Sequence, residues 1–196
     1  MTPKILIFSG SVRTGSFNAQ LAAAAVKELA RSEAEVTHVS LADYPMPIYD
    51  GDLEAERGPP ENAVKLKRLF TAHQGVLIAS PEYNAGVTPL LKNTIDWISR
   101  VRDDKEPPLA AFKDRVFALV AASNGTYGGY RSLMMLRQIL ELGCGALVLP
   151  DMVALRGAAQ GFAEDGGVKD EPTAARLKAL CSRLVAMAAT LQGART

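Results

Sequence analysis

The feature that most constrains this chain is a recurring pair: a short run of apolar residues, then a longer stretch with apolar residues at helical spacing. Ile5, Leu6, Ile7 and Phe8 form the first run, stopped by Ser9-Gly10-Ser11. A strand buried on both faces reads this way. Over residues 16–31, Leu21, Ala22, Ala25, Val26 and Leu29 then fall on one helical stripe. Residues 35–41 alternate through Val36, Val39 and Leu41 as a second strand. A helix beginning at Pro60-Glu61 precedes Val76-Leu77-Ile78-Ala79, the plainest central strand of the chain. Helical spacing returns over 87–99, a fourth buried strand covers 116–122, and a helix covers 130–142. A fifth strand is expected at 146–149 and a last amphipathic helix at 171–191. This order predicts a parallel sheet with helices on both faces, joined by right-handed crossovers. The stretches 51–60 and 157–167, rich in Gly, read as surface loops, and residues 1–196 as one domain.

Composition narrows the class. Charge is nearly balanced, with 22 Lys and Arg against 21 Asp and Glu, so no basic excess points to nucleic acid. No apolar run reaches the ~18 residues of a membrane span. The run at 5–8 is too short for a signal-peptide core, which leads us to expect a cytoplasmic protein. Cys144 and Cys181 lie in separate apolar segments and read as small core residues. His38 and His73 have no neighbours at metal-ligand spacing.

In open parallel sheets, ligands bind beyond the carboxyl ends of the strands, where strand order reverses. Three loops qualify: 10–18, 81–86 and 123–129. The first joins a buried strand to a helix N-terminus, where free N–H groups and the helix dipole favour an anion. Ser11, Thr14 and Ser16 add hydroxyls, Asn18 an amide, and Arg13 a guanidinium fork. Ser16 also suits a plain N-cap. Gly10 and Gly15 have P-loop spacing, but Ser16-Phe17 stands where Lys-Ser/Thr would be needed, and Val12 takes the second glycine position of a dinucleotide fingerprint. A mononucleotide phosphate fits best.

The second loop, Ser80-Pro81-Glu82-Tyr83-Asn84-Ala85-Gly86, suits a planar ligand lying along backbone N–H groups, or simply a turn with Tyr83 packed beside it. The third is Gly-rich, open either to close ligand approach or to a plain strand-to-helix turn.

These motifs, Gly10-Ser11-x-Arg13-x-x-Ser16-x-Asn18, then Pro81-Glu82-Tyr83-Asn84, then the loop from Ser123 to Gly129, occur in an order and spacing that resembles the flavodoxin-like NADPH-dependent FMN reductases, which include chromate- and quinone-reducing flavoproteins. Pro89-Leu90-Leu91-Lys92-Asn93-Thr94-Ile95-Asp96-Trp97 is similar to that family's following helix. The resemblance implies a flavodoxin-like three-layer α/β/α sandwich with a five-stranded parallel sheet in the order 2-1-3-4-5. It implies that Ser11, Arg13, Ser16 and Asn18 hold the FMN phosphate. Pro81, Glu82, Tyr83 and Asn84 would border the isoalloxazine, with Ser123 and Gly125 beside it. NADPH or NADH would be the electron donor and a quinone, flavin, azo compound or metal oxyanion the acceptor, with no protein residue performing the chemistry itself. A homodimer or homotetramer is the family's usual assembly. The helix over 130–142 carries apolar residues on more than one face, which fits either association or complete burial. Asp96 and Arg100, at i,i+4, are placed to pair on a helix surface. Two other functions fit the same cradle: a flavodoxin-type electron carrier that does not oxidise NAD(P)H, and a flavin-free module for a phosphorylated ligand.

Overall fold

The computed structural model describes residues 2–103 and 105–193. Five parallel strands, β1 (Lys4–Ser9), β2 (Glu35–Val39), β3 (Gly75–Ala79), β4 (Val116–Ala122) and β5 (Leu147–Leu155), pair in the order β2-β1-β3-β4-β5. The expected flavodoxin-like sheet is therefore present. Alternate residues of each inner strand face opposite layers. Ile5, Ile7, Leu77, Ala79, Val116, Ala118 and Val120 pack against α1 (Phe17–Leu29) and α6 (Glu171–Gly193). Leu6, Phe8, Val76, Ile78, Phe117, Leu119 and Ala121 pack against α3 (Glu61–Ala72), α4 (Pro89–Arg100) and α5 (Tyr130–Gln138). Each inner strand is wholly buried apart from its first residue in β1, which is why its sequence is apolar throughout rather than alternating. The second layer closes on Phe8, Phe70, Phe112 and Phe117, with ring centroids 5.8–6.2 Å apart. Both cysteines are unpaired and buried, one in each layer, as expected.

Four local expectations need correction. Residues 51–57 are not loop but a helix, α2 (Gly51–Arg57), capped by the Asp50 carboxylate on Asp52 N (2.8 Å) and Leu53 N (3.1 Å) and ended by Gly58 at φ 71°. It buries no residue, so it carries no apolar stripe to betray it. The fifth strand runs past Pro150 to Leu155: β5 is an edge strand, and its register slips between Phe117↔Val148 and Leu119↔Met152, so a proline lacking its N–H is tolerated there. Arg100 does not pair with Asp96; its Nε donates to both Glu54 oxygens (2.8 and 2.9 Å), while Asp96 accepts from Lys92. Complete burial of the helix over 130–142 also fails. Past Gln138 it widens into a π-helical turn, Ile139–Gly143, and Tyr130, Met134, Met135 and Leu142 are exposed although Leu133, Leu136 and Leu140 are buried.

Candidate functional site

All three loops lie at the carboxyl edge of the sheet, after the adjacent strands β1, β3 and β4. The first is pressed onto its neighbours. Gly10 N donates to Ala79 O (2.9 Å), and Gly10 O accepts from the Thr88 hydroxyl (2.7 Å). A Cβ on Gly10 would sit 3.1 Å from Leu91 Cβ and 3.2 Å from Pro81 Cδ, so a larger residue would push the first two loops apart. Ser9 Oγ accepts from Ser11 N (3.2 Å), Ser11 Oγ from Arg13 N (3.3 Å), and Gly15 turns the chain at φ 70°. Ser16 is the N-cap, accepting from Ala19 N at 3.4 Å. Capping leaves the first-turn amides of Phe17 and Asn18 with no acceptor inside the helix. The exposed Arg13 guanidinium donates to the carbonyls of Thr14 (3.2 Å) and Gly15 (3.4 Å) and lies over the Phe17 ring.

Asn18 is placed differently from its expected role. It is buried, and both ends of its amide are spent on one residue: Nδ2 donates to Ala122 O and Oδ1 accepts from Ala122 N, each at 2.9 Å. It bolts the first turn of α1 to the last residue of β4, where the third loop begins.

The second loop is a tight hairpin. Tyr83 and Gly86 exchange two backbone hydrogen bonds of 3.0 Å across Asn84 (φ 50°) and Ala85 (φ 65°), the positive-φ pair of a type I′ turn. Gly86 closes the turn through both of these bonds, and a Cβ there would meet the Met135 sulfur at 3.0 Å. Pro81 is buried, whereas Tyr83 is 53% exposed at the tip. Glu82 turns away from the loop mouth. It accepts from Arg131 Nε at 2.8 Å, from a second Arg131 nitrogen, and from Ser132 N at 3.3 Å, capping α5. Beneath it, Ser80 and Ser132 share a hydrogen bond of 2.8 Å.

In the third loop Ser123 Oγ accepts from Gly125 N (3.1 Å), and Asn124 Oδ1 from Ala159 N (2.7 Å). Gly128 and Gly129 have φ 60° and 91°, and Cβ atoms there would come 2.9 Å from Leu155 C and 2.7 Å from Ala121 Cβ. Only glycine allows that close seating. It holds Tyr127, 57% exposed, with the Arg131 guanidinium 5.2 Å from its ring centroid. Thr88 and Arg131 were missed in the sequence. Thr88-Pro89 is a readable N-cap with proline at the first helical position; Arg131 carries no local signal.

The donor set fits a phosphate dianion. Residues 10–18 hold a guanidinium, hydroxyls and unpaired helix-start amides, and no carboxylate. Two glycine-bearing loops follow on the neighbouring strands, flanked by exposed Tyr83 and Tyr127.

Comparison with known proteins gives the family. Residues 3–160 match the model of the NADPH-dependent FMN reductase family. The quinone reductase of Escherichia coli K12 is 38% identical over 138 residues, covering 70% of this chain and 69% of that protein. The NAD(P)H:quinone oxidoreductase of Solanum tuberosum is 34% identical over 194 residues, covering 97% and 95%. Among solved structures, the flavoenzyme NAD(P)H:(acceptor) oxidoreductase FerB from Paracoccus denitrificans superposes with a TM-score of 0.76 at 26% identity, over 96% of this chain and 98% of its own. With that sheet order, that cradle and a family match spanning most of its length, this chain belongs to the NADPH-dependent FMN reductase family.

Proposed function

We propose that this chain oxidises a reduced nicotinamide and reduces a small acceptor of the quinone class, as a cytoplasmic homo-oligomer with one FMN site per chain. The observation that carries the reading is the carboxylate-free cradle at 10–18, set two strands from the third loop, so that a phosphate over β1 leaves room for a ring over β3 and β4. Bound FMN would supply the electron transfer itself, taking a hydride equivalent from the nicotinamide and passing electrons to the acceptor.

The chain's own residues bind and orient. Ser11, Arg13, Ser16 and the amides of Phe17 and Asn18 hold the phosphate; the Asn18 side chain holds the cradle to β4 instead. Pro81, Tyr83 and Asn84 border the ring, and Glu82 fixes their loop through Arg131 and Ser132. Ser123 and Gly125 supply the third side. Glu82 accepts hydrogen bonds from three donor atoms, so it serves as an anchor and not as a proton donor. Exposed Met134 and Met135 on α5, with Leu142 in the π-helical turn that follows, support self-association. Two unpaired cysteines suit a reducing compartment. Quinone relatives support the acceptor class.

The test is the visible spectrum of the purified protein under anaerobic conditions. A flavin spectrum bleached by NADPH and restored by a quinone is expected. A flavin spectrum that neither NADPH nor NADH bleaches would leave an electron carrier. No uptake of FMN would leave a phosphate-ligand module. Arg13→Ala is expected to weaken FMN binding about tenfold, the loss of one exposed charge-assisted contact; an unchanged dissociation constant in a flavin titration refutes its role.

A further inference from the structure

A groove of about 590 Å³ lies beyond the carboxyl end of β5, on the far side of the third loop from the phosphate cradle. Tyr127, Tyr130, Met152 and Ala154 line it, together with two cations, Arg156 and Arg176, and one anion, Asp170. Tyr127 is shared with the third loop; the other side chains belong to none of the three loops of the flavin site.

Several observations bear on what this groove could hold. Among the described residues Arg156 has no hydrogen bond or ion pair, and Arg176 has no hydrogen bond; the charge it acts on is Asp170. Asp170 is itself committed to the start of α6, accepting from Thr173 N at 2.9 Å, so it offsets only part of the positive charge. Arg131 is spent on Glu82 and the Tyr127 ring, so Arg156 and Arg176 are the groove's guanidinium groups without a hydrogen bond among the described residues. Arginine forks match phosphate oxygens, while Tyr127, Tyr130, Met152 and Ala154 supply aromatic and apolar side chains that a base can pack on.

Position decides which phosphate. Leu155 O accepts from Ser123 N (3.0 Å) and Ser123 O from Ala158 N (3.3 Å), so the end of β5 is directly bonded to the third flavin loop. The groove lies three strand spacings, roughly 14 Å, from the cradle over β1. A flavin whose phosphate sits over β1 and whose ring sits over β3 and β4 cannot also fill it. A second nucleotide whose reactive ring meets the flavin can. Building on the proposed function, we propose that this groove receives the adenosine 2′-phosphate end of NADPH, with Arg156 and Arg176 on the 2′-phosphate and the adenine against Tyr127 and Tyr130. The groove thereby sets a preference for NADPH over NADH.

The test uses the flavin-loaded protein together with direct binding. Adenosine 2′,5′-bisphosphate, titrated calorimetrically, is expected to bind at least tenfold more tightly than 5′-AMP. Arg156→Ala and Arg176→Ala should each weaken it about tenfold. In steady state the same variants should raise KM for NADPH about tenfold, with KM for NADH changed less than twofold and FMN content unchanged. Both sites are exposed, so the variants should keep the wild-type far-UV spectrum and thermal midpoint. Equal binding of the two adenosine nucleotides, or variants with wild-type KM for NADPH, would overturn the assignment and leave the reductase reading standing. A wild-type flavoprotein that neither nucleotide bleaches would remove the reductase reading itself, and the groove's role with it.

Discussion

Asn18→Ala separates two roles that a buried polar side chain beside a phosphate cradle could have. In the structure its amide faces Ala122 and not the cradle, with both hydrogen bonds at 2.9 Å and both residues 3% exposed. Truncation strips partners from the N–H and C=O of one buried residue. Each such group costs about 1–3 kcal/mol, and the space left by the amide adds to it, so the expected loss is about 3 kcal/mol. A chain of 196 residues unfolds with an entropy of about 0.4 kcal/mol/K, so the melting temperature should fall by about 7 °C. The assay is thermal and urea unfolding of flavin-free protein, since bound FMN would add its own stabilisation. FMN affinity, measured well below the transition, should change less than about threefold, because the Asn18 backbone amide remains in place. A variant that melts within about 2 °C of wild type yet binds FMN tenfold more weakly would show that the side chain serves the phosphate, and would refute the reasoning.

Ala85→Gly should stabilise the protein by about 0.5 kcal/mol: alanine at φ 65° bears roughly 1–2 kcal/mol of left-handed strain, and the freer unfolded chain returns part of the gain. A urea midpoint that falls would contradict the type I′ turn. Burial holds the His73 pKa below 6.5, partly offset by its hydrogen bond to Leu69 O; the neutral ring also accepts from the Thr37 hydroxyl at 2.8 Å. The unfolded chain therefore takes up the proton first as pH drops through 6.5, and stability should decline from there downward. Comparing urea midpoints at pH 7.5 and 5.5 checks this, and His73→Gln should flatten the slope; an equal slope in the variant argues against it. Burial raises the Cys144 thiol to about 11 and Cys181 to about 12, so an aromatic disulfide reagent at pH 8 should label neither before unfolding. Fast labelling of the native protein would refute their burial.

The sheet was readable because burial on both faces writes itself into composition: strands such as Gly75–Ala79 and Val116–Ala122 admit no polar residue. Elements whose stability comes from elsewhere were not. α2 is held by the Asp50 cap and by Glu54, which accepts from Tyr49 Oη (2.9 Å) and Arg100 Nε (2.8 Å). Neither hold produces an apolar period. Pro150 reads as a stop in a strand, and only the strand's place at the sheet edge, a tertiary fact, lets β5 continue through it.

At the site, the strand-end rule located the loops, but it could not say which way each polar side chain turns. Local sequence near Asn18 or Glu82 is the same whether the side chain points out at a ligand or in at the protein. The partner decides, and it lies 104 residues away at Ala122 for Asn18, and 49 away at Arg131 for Glu82. The outcome has a physical logic. A loop with polar side chains all facing outward would have to order itself around FMN, and that ordering would subtract from affinity. Here Asn18, Glu82, Thr88 and Ser132 face inward and fix the three loops to one another and to the sheet, while Ser11, Arg13, Thr14 and Tyr83 stay at the mouth. The residues left at the mouth and the residues that fix the loops are different sets, and two of the second, Thr88 and Ser132, lie outside the matched motifs, so a motif match identifies the loops more securely than the role of any one side chain within them.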